Sequence, residues 1–415
     1  MLLRARIVLP ITAPPVEDGA VLISGGAIAA VGSWHDLRTA SGEPAIDLGD
    51  VVLLPGLINA HCHLDYTLMA GRLRPPKTFP DWIKSILAAK SEWHFSDYAA
   101  SWLAGASQLL ETGTTTVANI ESVPELLTDC RAATPLRVHS FVEMTGVRSG
   151  RNPEALIQEA LRTFRSLDPG NGAFGLSPHA PYSTTPTLLR LAADVAHREG
   201  LRTTTHVAES QAEFEMFMYR RGPMFDWLEP QRPMDDCGLG SPVQHLERCG
   251  LLSNTHLAVH VNYLWHGDAE RLGRSGTHVV HCPKSHTYFG HHRFPREELE
   301  AAAVNCCLGT DSLASTLPTR GRPPHLSLLA ELRELLGHDA TLSPAEALRL
   351  ATVNGARALG LPGQRGELGP GAQADLIAIP FSGATNEAAA GVIAHEGRVS
   401  ASLIDGAWAI APATA

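Results

Sequence analysis

The middle of the chain repeats one pattern: a short apolar segment that ends in polar residues, followed by a stretch with helical periodicity. The apolar segments predict eight strands, at residues 51–63, 114–120, 136–144, 173–180, 201–209, 256–264, 277–285 and 304–312. Gly113 and Gly200 each close a helical stretch just before a strand, as glycine commonly does at the carboxyl end of a helix. This succession predicts an α/β fold, a closed (β/α)8 TIM barrel, rather than an open sheet.

The two ends of the chain have a different pattern. Residues 1–54 and 364–415 contain short alternating segments, such as RARIVL and ASLIDGAWAIAP, broken by proline, glycine and Asp-Gly turns. Such segments are typical of small β-strands joined by tight turns. We expect both ends to pair into one small β-sandwich domain, with residues 55–363 forming the catalytic barrel domain between them.

Composition and charge limit the partners of the chain. It carries 33 lysines and arginines against 43 acids, and the net charge of -10 disfavours binding to nucleic acid polymers. No segment approaches the roughly 18 to 20 apolar residues of a membrane span, and we find no signal or transit peptide. The seven cysteines include no CxxC pair, which favours reduced thiols. We therefore expect a cytoplasmic protein that acts on a small molecule and does not bind membranes, and we leave a homodimer open.

Polar residues collect at the carboxyl ends of the predicted strands, where the active sites of such barrels lie. His61 and His63 are two residues apart on the first strand, so both imidazoles face the same side. His206 ends the fifth strand and Asp311 ends the eighth. Any one of them could be an ordinary core residue, but their joint placement predicts one metal site. Three imidazoles and a carboxylate suit Zn²⁺ first and Fe²⁺ second, with room for a water molecule.

Two further residues flank these candidate ligands. Glu209 follows His206 by three residues, and His260 ends the sixth strand. Hydrolysis at a carbon that bears nitrogen needs an activated water, a proton donor to the nitrogen and a group that binds the oxyanion. Asp311 can accept the proton of the water, Glu209 can deliver one to the substrate, and His260 can bind the oxyanion. The alternative for Glu209 is an acid in the first turn of a helix.

The motifs PGLINAHCHLD, SPHAPYS, HVAES, HVNYL, HCPKS and LGTDSLAS resemble, in order, those of the amidohydrolase superfamily, in its cytosine deaminase and TRZ/ATZ chlorohydrolase-like branch. The resemblance spans nearly the whole chain. It implies that the four candidate ligands bind the metal and that Glu209 and His260 are the catalytic pair. Binuclear members carry a carboxylated lysine on strand four, but AFGLSPHA contains none, so we expect one metal ion.

The chain departs from this branch at two points. His286 follows HCPKS, where the family usually has asparagine, and Tyr263 stands where a histidine is common. Extra polarity in the pocket is one reading of the nearby histidines, and packing or hydrogen bonding beneath the strand ends is the other. Their roles stay open at this point: His281, His286, His291 and His292.

The substrate is predicted from three residues and one insertion. The resemblance implies that His179, in SPHAPYS, contacts the substrate. Trp82 lies where relatives place a lid over the substrate ring, although a packing role in a helix is the alternative. Arg148 could bind a substrate carboxylate, but in an arginine-rich chain its placement could be chance. The long connection after His206 resembles the insertion of aminofutalosine deaminases.

We therefore expect hydrolytic deamination of an aminated heterocycle, first a 6-aminopurine nucleoside derivative of the aminofutalosine, S-adenosylhomocysteine or adenosine type, with release of ammonia. Deamination of guanine or pterin and hydrolysis of a triazine, as in the chlorohydrolases, are alternatives, because they use the same six core residues. A scaffold without catalysis is a third reading. It is disfavoured because all six residues are intact.

Overall fold

A computed structural model of the chain describes residues 1–147, 151–168, 170, 172–318, 321 and 323–413. Its strands are β1 (Leu2–Val8), β2 (Val16–Ser24), β3 (Ala27–Ser33), β4 (Ala45–Asp47), β5 (Val51–Pro55), β6 (Leu57–Cys62), β7 (Thr114–Glu121), β8 (Arg137–Met144), β9 (Ala173–Pro178), β10 (Arg202–Val207), β11 (His256–His260), β12 (His278–His281), β13 (Cys306–Leu308), β14 (Leu376–Pro380), β15 (Ala401–Ile404) and β16 (Ala407–Ile410).

The α-helices of the described residues are α1 (Trp34–Ser41), α2 (Phe79–Lys90), α3 (Phe95–Glu111), α4 (Leu127–Ala132), α5 (Pro153–Ser166), α6 (Pro186–Glu199), α7 (Gln211–Tyr219), α8 (Pro223–Leu228), α9 (Pro242–Arg248), α10 (Asp268–Ser275), α11 (Pro283–Phe289), α12 (Arg296–Ala301), α13 (Leu328–His338), α14 (Pro344–Leu350), α15 (Val353–Ala358) and α16 (Ala388–Ala394). Short 3-10 turns lie at Leu64–Met69, Pro124–Leu126, Pro181–Ser183, Leu313–Ser315 and Thr385–Glu387.

The strands β6 to β13 form one parallel sheet of eight in sequence order. The sheet closes between its first and last strands, because the N–H groups of Thr310 and Asp311 donate to the carbonyl oxygen of His61 at 3.0 and 3.2 Å. Each of the eight predicted strands has its counterpart here, so the predicted (β/α)8 barrel is confirmed. A parallel barrel brings the carboxyl ends of all its strands to one face, and this places the site.

The first predicted strand, 51–63, is in fact two strands that belong to different sheets. β5 pairs with strands from the two ends of the chain, whereas β6 starts the barrel. Gly56 separates them, and a Cβ at this position would lie 2.1 Å from Oγ1 of Thr115. Both strands are buried throughout, so the apolar pattern gives no sign of the break.

The two ends of the chain form a second, mixed sheet, in the order β16-β15-β14-β5-β1-β2-β3, with β4 beside β1. β5 connects the two ends, since it pairs parallel with β1 and antiparallel with β14. The predicted pairing of the two ends is therefore confirmed. For the domains we propose the limits given above, residues 1–54 with 364–415 and residues 55–363.

The helix before the fifth barrel strand shows how the sequence sets local structure. The Thr185 side chain accepts from the N–H of Leu188 at 3.2 Å and caps α6, whose first residue is Pro186. Gly200 ends the helix with φ of 66°, in the left-handed region that favours glycine. One face packs against the barrel through buried apolar residues: Leu188, Leu189, Ala192, Val195 and Ala196.

A buried ion-pair network joins the barrel to the terminal sheet. Arg137, at the start of β8, is fully buried and pairs with Asp375 and, at 2.7 Å, with Asp405. Arg365 pairs with the same two acids, at 3.1 and 3.0 Å. Residues from the barrel and from the carboxyl-terminal segment thus neutralise one another, with Arg137 and Asp375 buried and Asp405 partly exposed.

An Arg137→Met variant should lose about 1.5–3 kcal/mol of unfolding free energy, because the buried Asp375 would lose one of its two cationic partners and keep only Arg365. Urea denaturation followed by circular dichroism measures the loss. The matched control is Arg4→Met, since Arg4 pairs with Asp18 at 2.8 Å on the surface, where ion pairs contribute little. Equal stability losses in the two variants would show that the buried network does not hold the sheets together.

The cysteines and the helix lengths can be compared with the sequence. All seven cysteines are buried and none forms a disulfide among the described residues. Within the same residues, every helix is too short or too polar to cross a membrane.

Candidate active site

Four of the predicted site residues lie together at the carboxyl end of the barrel. His61 lies on β6 and His63 directly follows it, while His206 lies on β10 and Asp311 follows β13. All four side chains are buried, and their donor atoms lie within 4.8 Å of one another. Nε2 of His63 is 3.2 Å from Nε2 of His206, and Oδ1 of Asp311 is 3.7 Å from Nε2 of both His61 and His63. The residue types and their convergence make this a metal-binding site.

The protonation of the imidazoles suits metal binding. Burial, followed by repulsion from neighbouring imidazoles, lowers the pKa of His63 well below its ordinary value and that of His206 to about 3. Both rings are therefore neutral, the form that binds metals. Nδ1 of His206 donates to the carbonyl oxygen of His179 at 2.9 Å, which leaves the lone pair of Nε2 directed into the site.

His61 provides an independent test of whether these residues fit a cation. Both of its ring nitrogens are buried, and neither has a hydrogen-bond partner among the described residues. Buried polar atoms without partners are rare in proteins and destabilise the folded state. A cation bound between the imidazoles would satisfy one of these nitrogens, so the donor set fits a divalent metal ion.

Asp311 is held in an orientation that suits a metal ligand. The hydroxyls of Ser285 and Ser315 donate to its Oδ2 at 2.7 and 3.0 Å, so Oδ1 is the oxygen that faces the imidazoles. Burial raises the pKa of Asp311, but His61 and the other imidazoles outweigh burial and hold it well below its ordinary value. Its backbone φ of 53° lies in the left-handed region, a strain that often marks functional positions.

Glu209 and His260 lie against the metal-binding site, as predicted. Oε1 of Glu209 is 3.5 Å from Nε2 of His260, and both side chains are buried. Burial, with repulsion from Asp311 and Glu213, raises the pKa of Glu209 well above its ordinary value. A raised pKa favours the protonated carboxyl group, the form that can donate a proton. Burial also lowers the pKa of His260 well below its ordinary value, so its imidazole is neutral.

The turn that carries Glu209 is held from two sides. Oε2 of Glu213 accepts from the N–H of Glu209 at 2.9 Å, and Nδ2 of Asn262 donates to its carbonyl oxygen at 2.9 Å. Ser210 caps α7, whose first-turn acid is Glu213. Glu209 therefore precedes the helix, and the alternative of a first-turn acid applies to Glu213 instead.

A cavity of about 250 Å³ lies beside the metal-binding site. His63, His206 and Asp311 of that site, together with Glu209, are among its lining residues. Apolar side chains from α2 and from α8 form much of the wall: Trp82, Ile83, Ile86, Trp227 and Leu228. Because α8 lies in the long connection after His206, the insertion contributes directly to the cavity.

Two of the three side chains predicted to contact the substrate line this cavity. Trp82 packs edge-on against Phe289, with ring centres 5.2 Å apart. His179 follows β9, and its Nδ1 lies 2.6 Å from Oγ of Ser183. Burial and a nearby positive charge lower the pKa of His179 to about 4. The third residue, Arg148, lies outside the described residues.

The cavity has polar lining residues that the sequence analysis did not predict, among them Tyr66, Lys90 and Glu143. Lys90 donates to Oη of Tyr66, and its Nζ lies 4.7 Å from the centre of the ring. Glu143 could have been found, because it lies near the carboxyl end of a barrel strand, the placement that singled out the candidate metal ligands. Lys90 gave no such signal, since a lysine at the end of a helix is common.

The four histidines with open roles lie beside the site. His281 stacks on Phe294, with ring centres 3.8 Å apart. Nδ1 of His286 lies 3.0 Å from Oδ1 of Asn262, and Oη of Tyr263 lies 3.0 Å from Nδ1 of His291. These contacts favour packing and hydrogen bonding over extra pocket polarity. Among the described residues that line the cavity, none is His281, His286, His291 or His292.

Comparisons with known proteins cover both sheets. A sequence model of the Amidohydrolase family matches residues 52–408. A 5-methylthioadenosine/S-adenosylhomocysteine deaminase of Syntrophobacter fumaroxidans is 33% identical over 377 residues, 88% of this chain and 80% of that protein. An aminodeoxyfutalosine deaminase of Deinococcus radiodurans is 30% identical over 313 residues, 72% of this chain and 73% of that protein. A crystal structure of an adenosine deaminase from Xanthomonas campestris with bound zinc has a TM-score of 0.82 at 25% identity, covering 99% of this chain and 92% of the other.

Proposed function

Because the chain belongs to the amidohydrolase family, we propose that it is a hydrolase of carbon–nitrogen bonds that deaminates a purine nucleoside derivative and releases ammonia. The resemblance seen in the motifs is thereby confirmed. The proposed substrate is a 6-aminopurine nucleoside of the aminofutalosine, S-adenosylhomocysteine or adenosine type, in line with the names of the relatives. One observation carries the proposal: Glu209 and three residues of the metal-binding site line a cavity with apolar side chains in its wall, and His260 lies against Glu209.

The cofactor is one divalent metal ion, with Zn²⁺ preferred and Fe²⁺ second. Its proposed ligands are His61, His63, His206 and Asp311. When bound there, the ion lowers the pKa of a water molecule and so supplies a nucleophile at neutral pH. A single ion is expected because β9 contains no lysine, and the adenosine deaminase structure with bound zinc supports the choice of metal.

The reaction replaces the amino group of the purine by the oxygen of water. Asp311 accepts a proton from the attacking water, since its carboxylate is ionised and buried beside the reacting position. Glu209 delivers a proton to the ring nitrogen, and neutral His260 hydrogen-bonds the oxygen that adds to the carbon. The protons that pass through these two carboxyl groups allow the amino group to leave as ammonia.

The cavity wall positions the purine ring of the substrate. Trp82 offers a flat apolar face for the heterocycle and excludes water from it, and His179 contacts the substrate beside it. Arg148 is proposed from the sequence alone, as a group that binds a substrate carboxylate. A cytoplasmic location and a homodimer are also proposed from the sequence.

Ammonia release from a panel of substrates tests the function. The panel contains 6-aminopurine nucleosides, guanine, a pterin and an aminotriazine. We expect the highest kcat/KM with a 6-aminopurine nucleoside. If only guanine, the pterin or the triazine is turned over, the proposed substrate class is wrong and that alternative takes its place. If the metal-loaded protein is inactive on the whole panel, the result supports a scaffold without catalysis.

A Trp82→Ala variant should raise KM by about 10-fold, because stacking of one aromatic ring contributes about 0.5–1.5 kcal/mol beyond area burial. kcat should fall less, since the residues that move protons are unchanged. Steady-state ammonia release gives both constants. The control is Trp34→Ala on α1, which should leave KM at its original value, and an unchanged KM in the Trp82 variant would remove the lid role.

A further inference from the structure

Glu209 and His260 lie on two adjacent segments whose backbones are strained. Ala208, just before Glu209, has φ of 49°, and His260 and Val261 have φ of 75° and 51°. These angles lie in the left-handed region, which is unfavourable for residues other than glycine and persists only where the surrounding structure holds it. The position of the Glu209 carboxyl group therefore depends on the contacts that hold these two segments together.

Asn262 joins the two segments through both its backbone and its side chain. Its N–H donates to the carbonyl oxygen of Ala208 and its Nδ2 donates to that of Glu209, at 3.0 and 2.9 Å. The N–H of Val261 also donates to the carbonyl oxygen of Val207, at 3.0 Å. Of these three bonds, the one from Nδ2 depends on the residue type. The Asn262 side chain is buried, so losing this bond would leave the Glu209 carbonyl oxygen without that donor away from water.

A neighbouring histidine orients this amide. The Glu209 carbonyl oxygen only accepts, so the amide nitrogen must face it, and Oδ1 of Asn262 then faces Nδ1 of His286 at 3.0 Å. Burial lowers the pKa of His286 to about 4, so the ring is neutral and carries one proton. Its Nε2 lies 2.6 Å from the carbonyl oxygen of His292 on the exposed side, where water can satisfy both groups. The proton therefore belongs on Nδ1, which donates to the buried amide.

The helix that carries His286 contacts both carboxyl groups to which a proton transfer is assigned above. Ser285 of α11 donates to Oδ2 of Asp311 at 2.7 Å, and His286 acts on Glu209 through Asn262. His286 also stands where the family usually has asparagine. Because an asparagine amide can donate from the same place as Nδ1 of histidine, the change of residue keeps a donor at this position.

We propose that Asn262 is a positioning residue for proton delivery: it fixes the turn at Glu209, and His286 fixes the amide of Asn262. This inference rests on the proposed function, because it assumes that Glu209 delivers the proton. Within the described part of the chain, neither Asn262 nor His286 lines the cavity, so neither is placed to contact the substrate. Loss of Asn262 should therefore change kcat and leave KM unchanged.

The test measures ammonia release from adenosine and 5′-methylthioadenosine by the metal-loaded protein. Asn262→Ala should lower kcat by about 10-fold and leave KM within about two-fold, because a displaced acid is poorly aligned for proton transfer. In a Glu209→Gln background, the same change should lower kcat by less than about two-fold, since the turn no longer positions a proton donor. The control Asn254→Ala removes an exposed asparagine just before β11 and should leave both constants unchanged.

Two variants of His286 test the second link. His286→Leu removes the donor to the Asn262 amide and should lower kcat by about three-fold, as expected for one neutral hydrogen bond. His286→Asn should restore kcat, because its amide N–H donates in place of Nδ1. If His286→Asn is as slow as His286→Leu, the position does not act through its donor and the proposed role of His286 is wrong.

The outcomes separate the role of Asn262 from the function. If the unmodified protein releases ammonia from neither nucleoside, the proposed function fails and the role of Asn262 fails with it. If ammonia is released but Asn262→Ala keeps its kcat, or lowers kcat by the same factor in both backgrounds, the positioning role is wrong and the function stands. Metal content and circular dichroism establish that the variants are folded. Should Asn262→Ala fail to fold, His286→Leu in the two backgrounds decides the result.

Discussion

A Glu209→Gln variant should show a fall in kcat of about 10²- to 10⁴-fold, the usual contribution of general acid–base catalysis, while it keeps its metal. The two side chains have the same shape, so the turn held by Glu213 and Asn262 stays in place. An amide cannot deliver the proton that a carboxyl group can carry, and the raised pKa of Glu209 favours that protonated form. Steady-state ammonia release measures kcat, and elemental analysis measures the metal.

A matched variant tests whether the fall in kcat is caused by the loss of proton delivery. Glu215 lies two residues beyond Glu213 on α7 and is absent from the described lining of the cavity. Glu215→Gln makes the same chemical change and should leave kcat within about two-fold. If Glu209→Gln keeps more than about a tenth of the activity, Glu209 is not the proton donor, since that role contributes at least about 10²-fold.

The parts of the site that the sequence predicts follow from local periodicity and from the parallel barrel. His61 and His63 are two residues apart, the side-chain period of a strand, and the structure brings both imidazoles together. His206 and Asp311 are distant in the chain, but they lie at the ends of predicted parallel strands, and such ends meet at one face. The prediction of a parallel barrel is therefore enough to predict that these residues converge, without knowledge of the individual contacts.

Contacts that depend on how separate helices and strands pack could not be predicted from the sequence. The approach of Glu143 to His179 depends on the register of β8 against β9, which the apolar pattern does not set. Trp227 lines the cavity because α8 packs near α2, a contact that the resemblance of the long connection after His206 to an insertion of aminofutalosine deaminases did not predict. The break at Gly56 was missed for a similar reason, because both flanking strands are buried and have the same apolar pattern.

Removing the metal should abolish ammonia release, and returning about one equivalent of Zn²⁺ per chain should restore it. The folded protein should also lose thermal stability without metal, because a cation that binds the native state alone stabilises it by mass action. Elemental analysis of the purified protein should give about one ion per chain, as expected for a single site of four protein ligands. A value near two ions per chain would contradict the prediction of a single metal site, which rests on the lack of a lysine in β9.

A variant of one proposed metal ligand distinguishes the effect of losing the metal from any other effect of the chelator on the protein. His206→Gln should purify with less than about a tenth of the metal, because an amide replaces a neutral imidazole whose Nε2 is already directed into the site. Its activity should stay below about a thousandth of the original even with added Zn²⁺, and its unfolding temperature should equal that of the chelated protein. The exposed His292 provides the matched control, since His292→Gln should keep both metal and activity. If His206→Gln keeps full metal content and full activity, the four buried residues are not the site of metal binding. The lack of hydrogen-bond partners for the two ring nitrogens of His61 would then need another explanation.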